Sequence, residues 1–206
     1  VNEAELNGVK GVDDDGNDYI DDIHGYNFYK RGGSNGAINW ETETESGHGT
    51  HVAGTVSAVN NNGIGVAGVA GGRYPTQGVR IMAIQILHEG KSGDFERAAQ
   101  YAAENGAVIA QNSWGYSYDT NRDGEITGDE LTNALSAKIS ASDKIAVDYF
   151  IKYAGCDNNG NQLPNSPMKG GVVIFAAGND DFNHSGYPAG YRDFISVAAT
   201  GCDGMP

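Results

Sequence analysis

Apolar residues in this chain come in short, nearly continuous runs separated by amphipathic or small-residue stretches. Val79–Leu87 (VRIMAIQIL), Ala107–Ala110, Val172–Ala177 (VVIFAA) and Phe194–Ala199 (FISVAA) read as strands covered on both faces, the pattern of a parallel sheet. An alternating stretch, Ile20–Phe28, predicts one earlier strand. Thr50–Val59 is small and apolar, which predicts a closely packed buried helix broken by the NNNG that follows. In SGDFERAAQYAAENG, Phe95, Ala98, Ala99 and Ala102 fall at helical spacing, and Gly106 stands where a helix C-cap belongs. Leu131, Leu135, Ile139, Ile145, Tyr149, Phe150 and Tyr153 mark a long helix, kinked near Ser140–Ser142 and ending at Gly155. Strands alternating with helices predict an α/β fold: three layers, a mostly parallel sheet with helices on both faces. No internal repeat and no dividing linker is visible, so residues 1–206 read as one domain.

Composition narrows the function. The formal net charge of −14 excludes a basic nucleic-acid footprint and suits a chain that holds cations. Glycine is abundant, 31 residues against 5 prolines, without any repeat period, which points to tight turns and close backbone approaches. Two cysteines, Cys156 and Cys202, are too few for a disulfide framework and leave the compartment open. No apolar run reaches the length of a membrane span, and VNEAELNGVKGV has no signal-peptide pattern.

The most specific string is GHGTHVAGT, Gly47–Thr55, which places an imidazole, His48, at the start of a small-residue helix. It resembles the His box of the subtilisin-like serine proteases, the subtilases. NNNGIGVAGVA, NSWG (Asn112–Gly115), VVIFAAGND (Val172–Asp180) and SGYPAGYRDFISVAAT follow in that family's order, so the resemblance runs from about Asp13 to Thr200. It implies a subtilisin-type endopeptidase acting on polypeptides through a serine acyl-enzyme. His48 would be the general base and Asn179 the side-chain donor of the oxyanion hole. Ser113, Trp114 and Gly115 would line the cleft and pair with an extended substrate. His51 is expected to be structural. An extracellular or cell-envelope location is implied by the resemblance alone.

The family's Asp box and its Gly-Thr-Ser-Met-Ala box do not occur in these 206 residues. The chain on its own is therefore expected to be inactive, since no acyl-enzyme forms without the nucleophile. The strand that bears the family's triad Asp lies inside the sheet, so Val79–Leu87 and Ala107–Ala110 are expected to face an open position. Direct closure, insertion of further parent sequence, or strand exchange with a second copy would fill it, and a borrowed or rearranged pairing is the favoured expectation. The competing reading is a non-catalytic protein, either a calcium-binding subtilase-like domain or a degenerate pseudoprotease.

Two motif matches are set aside. Gly32–Gly36 fits G-x-S-x-G, but the polar AINWETETESG after it has no helical apolar face. Gly63–Gly68 fits G-x-G-x-x-G, yet a helix precedes it and Gly and Pro follow, the reverse of a dinucleotide site.

A calcium motif is stronger. Asp119, Asn121 and Asp123, then Gly124, Glu125 and Glu130, match the EF-hand loop: oxygen ligands at the first, third and fifth positions, Gly at the sixth, a carbonyl at the seventh and a closing carboxylate at the twelfth. The loop, 119–130, lies in an insertion at about 116–168 that the family pattern does not require. An exit helix is expected from Leu131, with no entering helix. A second group, Asp13, Asp15, Asn17 and Asp21, offers several oxygens to a hard cation. NNNGIGV also resembles a calcium loop of some subtilases, one residue longer. Calcium is the cofactor expected.

Overall fold

A computed structural model describes residues 1–29, 36, 38, 46–73, 76, 78–88, 91–121, 123, 125–179, 186–202 and 204. The chain divides into two compact units, Val1–Ala98 and Ala99–Pro206. The dismissed Gly32–Gly36 match lies largely outside the described residues, as does Gly124 of the calcium motif.

In the first unit a short helix α1 (Glu3–Asn7) precedes an Asp-rich loop, then strand β1 (Gly25–Asn27) and helix α2 (Ser46–Ser57). Strand β2 (Ala83–Gln85) pairs with β1 in parallel, Tyr26 opposite Ile84, and a small antiparallel hairpin follows from β3 (Leu87–His88) and β4 (Lys91–Ser92). The apolar run 79–87 is thus shorter as a strand than its hydrophobicity predicts. Its first residues join no ladder among the described residues, and Val79 and Ile81 are 49% and 41% exposed. The core here is aromatic: Tyr19 meets Tyr26 and Phe28 edge-on, with centroids 4.9 and 5.7 Å apart, and Tyr26 and Phe28 are tilted against each other at 5.1 Å.

Helix α2 forms, but the burial expected of its small residues is not found within its unit, where its described residues are half-buried or exposed. Its C-terminal carbonyls, which have no partner inside the helix, are taken by the following loop. Gly68 N–H donates to Ala58 O (2.9 Å), Val69 N–H to Thr55 O (2.9 Å) and Ala70 N–H to Val56 O (2.8 Å). That close approach requires glycine: a Cβ on Gly71 would lie 1.7 Å from Ala58 O.

Helix α3 (Phe95–Glu104) follows the predicted periodicity, with Ala98, Ala99 and Ala102 buried and Tyr101 buried beside them. Asp94 caps it by accepting from Arg97 N–H (3.0 Å), and Gly106, at φ +89°, ends it while Ala107 N–H closes on Ala102 O (2.9 Å).

The second unit is built on a parallel sheet in the order β5 (Ile109–Asn112), β6 (Val172–Ala176), β7 (Ile195–Val197). β6 is central and alternates half-buried with buried residues, Phe175 being fully buried. The long helix predicted over 131–153 is two helices, α4 (Gly128–Ser136) and α5 (Ala141–Tyr153). The break falls at 137–140, where Ser140 accepts from Asp143 N–H (3.0 Å) and caps the second helix. α5 packs on β6 and buries Ala146, Val147 and Phe150, while Ile145 is 59% exposed, so its inward face is rotated from the predicted stripe. The molecule is an α/β protein of parallel strands and intervening helices, as its pattern predicts. Among the described residues no helix is long and apolar enough to cross a membrane.

Candidate active site

His48 is the third residue of α2, in its exposed first turn, where the small-residue stretch places an imidazole at a helix N-terminus. His51, one turn on, is also exposed. The loop that clamps the far end of α2 fixes the helix that carries His48.

In the second unit the carboxyl ends of β5 and β6 carry the other expected residues. Asn179 follows β6; it is exposed and its side chain makes no hydrogen bond among the described residues, leaving an amide donor free. Ser113, Trp114 and Gly115 leave β5 as a segment with its own supports. Gln111 Nε2 donates to Ser113 Oγ (2.8 Å), and the Trp114 indole N–H donates to Asn112 Oδ1 (3.1 Å). Tyr116 N–H donates to Tyr187 O (2.8 Å), and the Tyr118 hydroxyl accepts from Tyr187 N–H (3.0 Å). Tyr116 donates in turn to Asp143 at the start of α5; burial first, then that carboxylate, push its phenol above the usual range.

Comparison with known proteins decides the family. The family model for the subtilases (Peptidase S8) matches residues 7–204. The chain belongs to the subtilase family. Among curated subtilases, a subtilisin-like protease 1 of Plasmodium vivax is 32% identical over 156 residues, covering 76% of this chain and 21% of its own. Thermitase of Thermoactinomyces vulgaris is 29% identical over 159 residues, with 76% and 50% covered. Alkaline elastase YaB of Bacillus sp. is 30% identical over 158 residues, with 75% and 30% covered. The chain thus spans about a fifth of the length of the Plasmodium subtilases and half that of thermitase.

The two acidic segments of this subtilase differ in how their oxygens are used. In the EF-hand-like loop, Glu130 stands in the first turn of α4, so the exit helix is present and begins at Gly128. Its Oε1 accepts from Thr120 N–H and Oγ1–H (2.7 Å each) and from Asn121 N–H (3.1 Å). The Thr120 side chain first, then the Asn121 backbone, hold its pKa below the usual value, so it is anionic at neutral pH. Asp123 N–H donates to Asn121 Oδ1 (2.9 Å) and Asp119 Oδ1 (3.2 Å), which folds the three loop residues together. Glu125 N–H donates to Asp123 Oδ1 (2.9 Å).

In the Asp-rich segment, Asp13 accepts from the N–H groups of Gly16, Asn17 and Asp18, and Asp21 from Gly11 N–H. Burial raises the Asp13 pKa, but these backbone donors outweigh it and lower the net value. Asp15 instead converges with Asp22 and Glu5, one oxygen of each lying within 4.8 Å of the others. Glu5 and Asp22 are only 4% and 2% exposed. Asn2 Nδ2 bridges Asp15 (2.8 Å) and Asp22 (2.7 Å), and Asn17 Nδ2 donates to Asp22 Oδ2 (3.0 Å). Sequence reasoning missed Glu5 and Asp22. Glu5 sits in a five-residue helix without an apolar stripe, and only the return of the chain brings it to the loop.

Proposed function

We propose that the protein bearing this chain is a subtilisin-type serine endopeptidase that cleaves polypeptides through a serine acyl-enzyme. The observation that supports the reading is the subtilase family match across residues 7–204, a span within which His48, Ser113–Gly115 and Asn179 all fall. In this reading His48 takes the proton from the nucleophilic serine and passes it to the leaving amine. The Asn179 amide meets the oxyanion that develops only in the transition state, so its bond favours reaction over binding. The backbone of Ser113–Gly115 pairs with the extended substrate. An extracellular or envelope location fits the same reading.

The test uses the full-length protein. A serine-directed phosphonate should label it, and His48→Ala should abolish labelling and turnover. Asn179→Ala should lower kcat with little change in KM, on the scale of about 10²–10³ that loss of the oxyanion-hole Asn costs subtilisin. Labelling that survives His48→Ala would sink the proposal. The 206-residue chain alone should neither turn over peptide nor take the label, having no Ser box. The outer edges of β2 and β5, each paired on one side among the described residues, suit strand exchange between two such chains, which sedimentation of the isolated chain would detect.

Calcium belongs to the same proposal. Asp119, Asn121, Asp123, the Glu125 carbonyl and Glu130 are a hard-oxygen set suited to Ca²⁺, which when bound would screen their mutual repulsion and tie down the insertion. Asp13, Asp15, Asn17 and Asp21 would serve a second ion, with Asp15 the member that already converges with other carboxylates.

A further inference from the structure

Asn112 closes β5 and is nearly buried, at 9% exposure, yet the proteolytic reading gives it no part. Every arm of its side chain is engaged. Nδ2 donates to Ala110 O on its own strand (3.2 Å) and to Ile174 O on β6 (3.3 Å), while Oδ1 accepts from the Trp114 indole N–H (3.1 Å). The indole is held on a second side by Phe175, edge to face with centroids 5.1 Å apart at 76°. Phe175 is itself fully buried and stacked on Phe194 (5.1 Å, 21°). The N–H therefore fixes the rotation of an indole whose ring position the core already sets. Between the end of the ladder at Asn112 and the next backbone anchor, Tyr116 N–H on Tyr187 O, Trp114 is the bulky side chain that ties the segment to the sheet.

We propose that Asn112 is a positioning residue for peptide recognition: by pinning the Trp114 indole to the β5–β6 ladder it holds the Ser113–Gly115 backbone in the extended course that a peptide strand needs. This rests on the reading of Ser113–Gly115 as the substrate-pairing segment. Asn112 touches no reacting atom, so its effect should fall on binding common to ground and transition state. That kind of loss raises KM and leaves kcat nearly unchanged. A residue needed only for folding would lower the active fraction, and kcat with it.

The experiment measures kcat and KM on an extended peptide substrate with the full-length enzyme. Asn112→Ala is expected to raise KM about tenfold with kcat within about twofold. Trp114→Phe keeps the ring on Phe175 but deletes the N–H, a milder change that tests the same bond if Asn112→Ala folds poorly. It should raise KM comparably. The double variant should be no worse than the worse single, because two residues acting through one bond are not additive. Additive effects, or a fall in kcat at constant KM, would overturn the proposal. Gly115→Ala separates this from the underlying reading. A Cβ there meets only Tyr187 O, at an ordinary 3.5 Å, so the fold tolerates it while the new methyl intrudes on the peptide's path. If Gly115→Ala raises KM but Asn112 and Trp114 show no coupling, the positioning role falls and the substrate segment stands. If Gly115→Ala leaves KM unchanged, the substrate segment is misassigned and the positioning role falls with it.

Discussion

The loop that clamps α2 offers a sharp test of how the His48 helix is held. Replacing Gly71 by Ala adds one methyl, which would lie 1.7 Å from Ala58 O and 2.6 Å from the Ala58 carbonyl carbon. A carbon–oxygen contact settles at about 3.3 Å or more, so loop and helix must part by about 1.5 Å. That displacement breaks the three bonds from Gly68, Val69 and Ala70 to Ala58, Thr55 and Val56. Each contributes roughly 0.5–1.5 kcal/mol net, so the full loss of three would be about 1.5–4.5 kcal/mol. The loop is open to water, with Val69 91% exposed, and solvent will take over part of the bonding. The expected destabilisation is therefore near the lower end, about 2 kcal/mol. Gly54→Ala is the matched control in the same helix, since its Cβ would meet nothing within 4 Å. There the better helix propensity of alanine should stabilise by up to about 1 kcal/mol. Urea unfolding of both variants, compared at constant m, measures the difference. A Gly71→Ala protein within about 0.5 kcal/mol of the parent would show that the loop does not clamp the helix.

Two further outcomes are expected. If the 119–130 loop binds Ca²⁺, ion at 100 times its Kd should stabilise the fold by about 2.7 kcal/mol. Glu130→Gln should shrink the gap in melting temperature between calcium-loaded and chelated protein, and an unchanged gap would remove Glu130 from the site. Tyr149, whose hydroxyl donates to Glu104 Oε1 (2.8 Å), has its pKa pushed up to about 12, by burial first and then by that carboxylate. The folded state thus holds this proton more tightly than the unfolded chain, whose phenol titrates near 10. The stabilisation is complete below about pH 10 and is lost as pH rises through about 12. Tyr149→Phe should flatten the alkaline stability profile, and parallel profiles for the two proteins would refute the assignment.

The amino-acid sequence by itself determined the features that depend on neighbours along the chain. Helix α3 follows from alanine spacing, with Gly106 as its C-cap, because capping and periodicity act within a few residues. The parallel strands followed from apolar runs, and membership of the subtilase family from ordered strings such as GHGTHVAGT. Only tertiary structure decided which part of a run became a ladder: 79–82 is as apolar as 83–85, but only the latter finds hydrogen-bonding partners on β1. It also decided which face of α5 turned inward, since Ala146 and Val147 are buried and Ile145 is exposed. The same holds for Asn112. Its place in the NSWG string does not reveal this role, because the role requires the Ile174 carbonyl, 62 positions away, and an indole folded back beside it. Glu5 reaches the carboxylates of Asp15 and Asp22 for the same reason: contacts between distant positions arise from how the chain returns on itself, which no local pattern records.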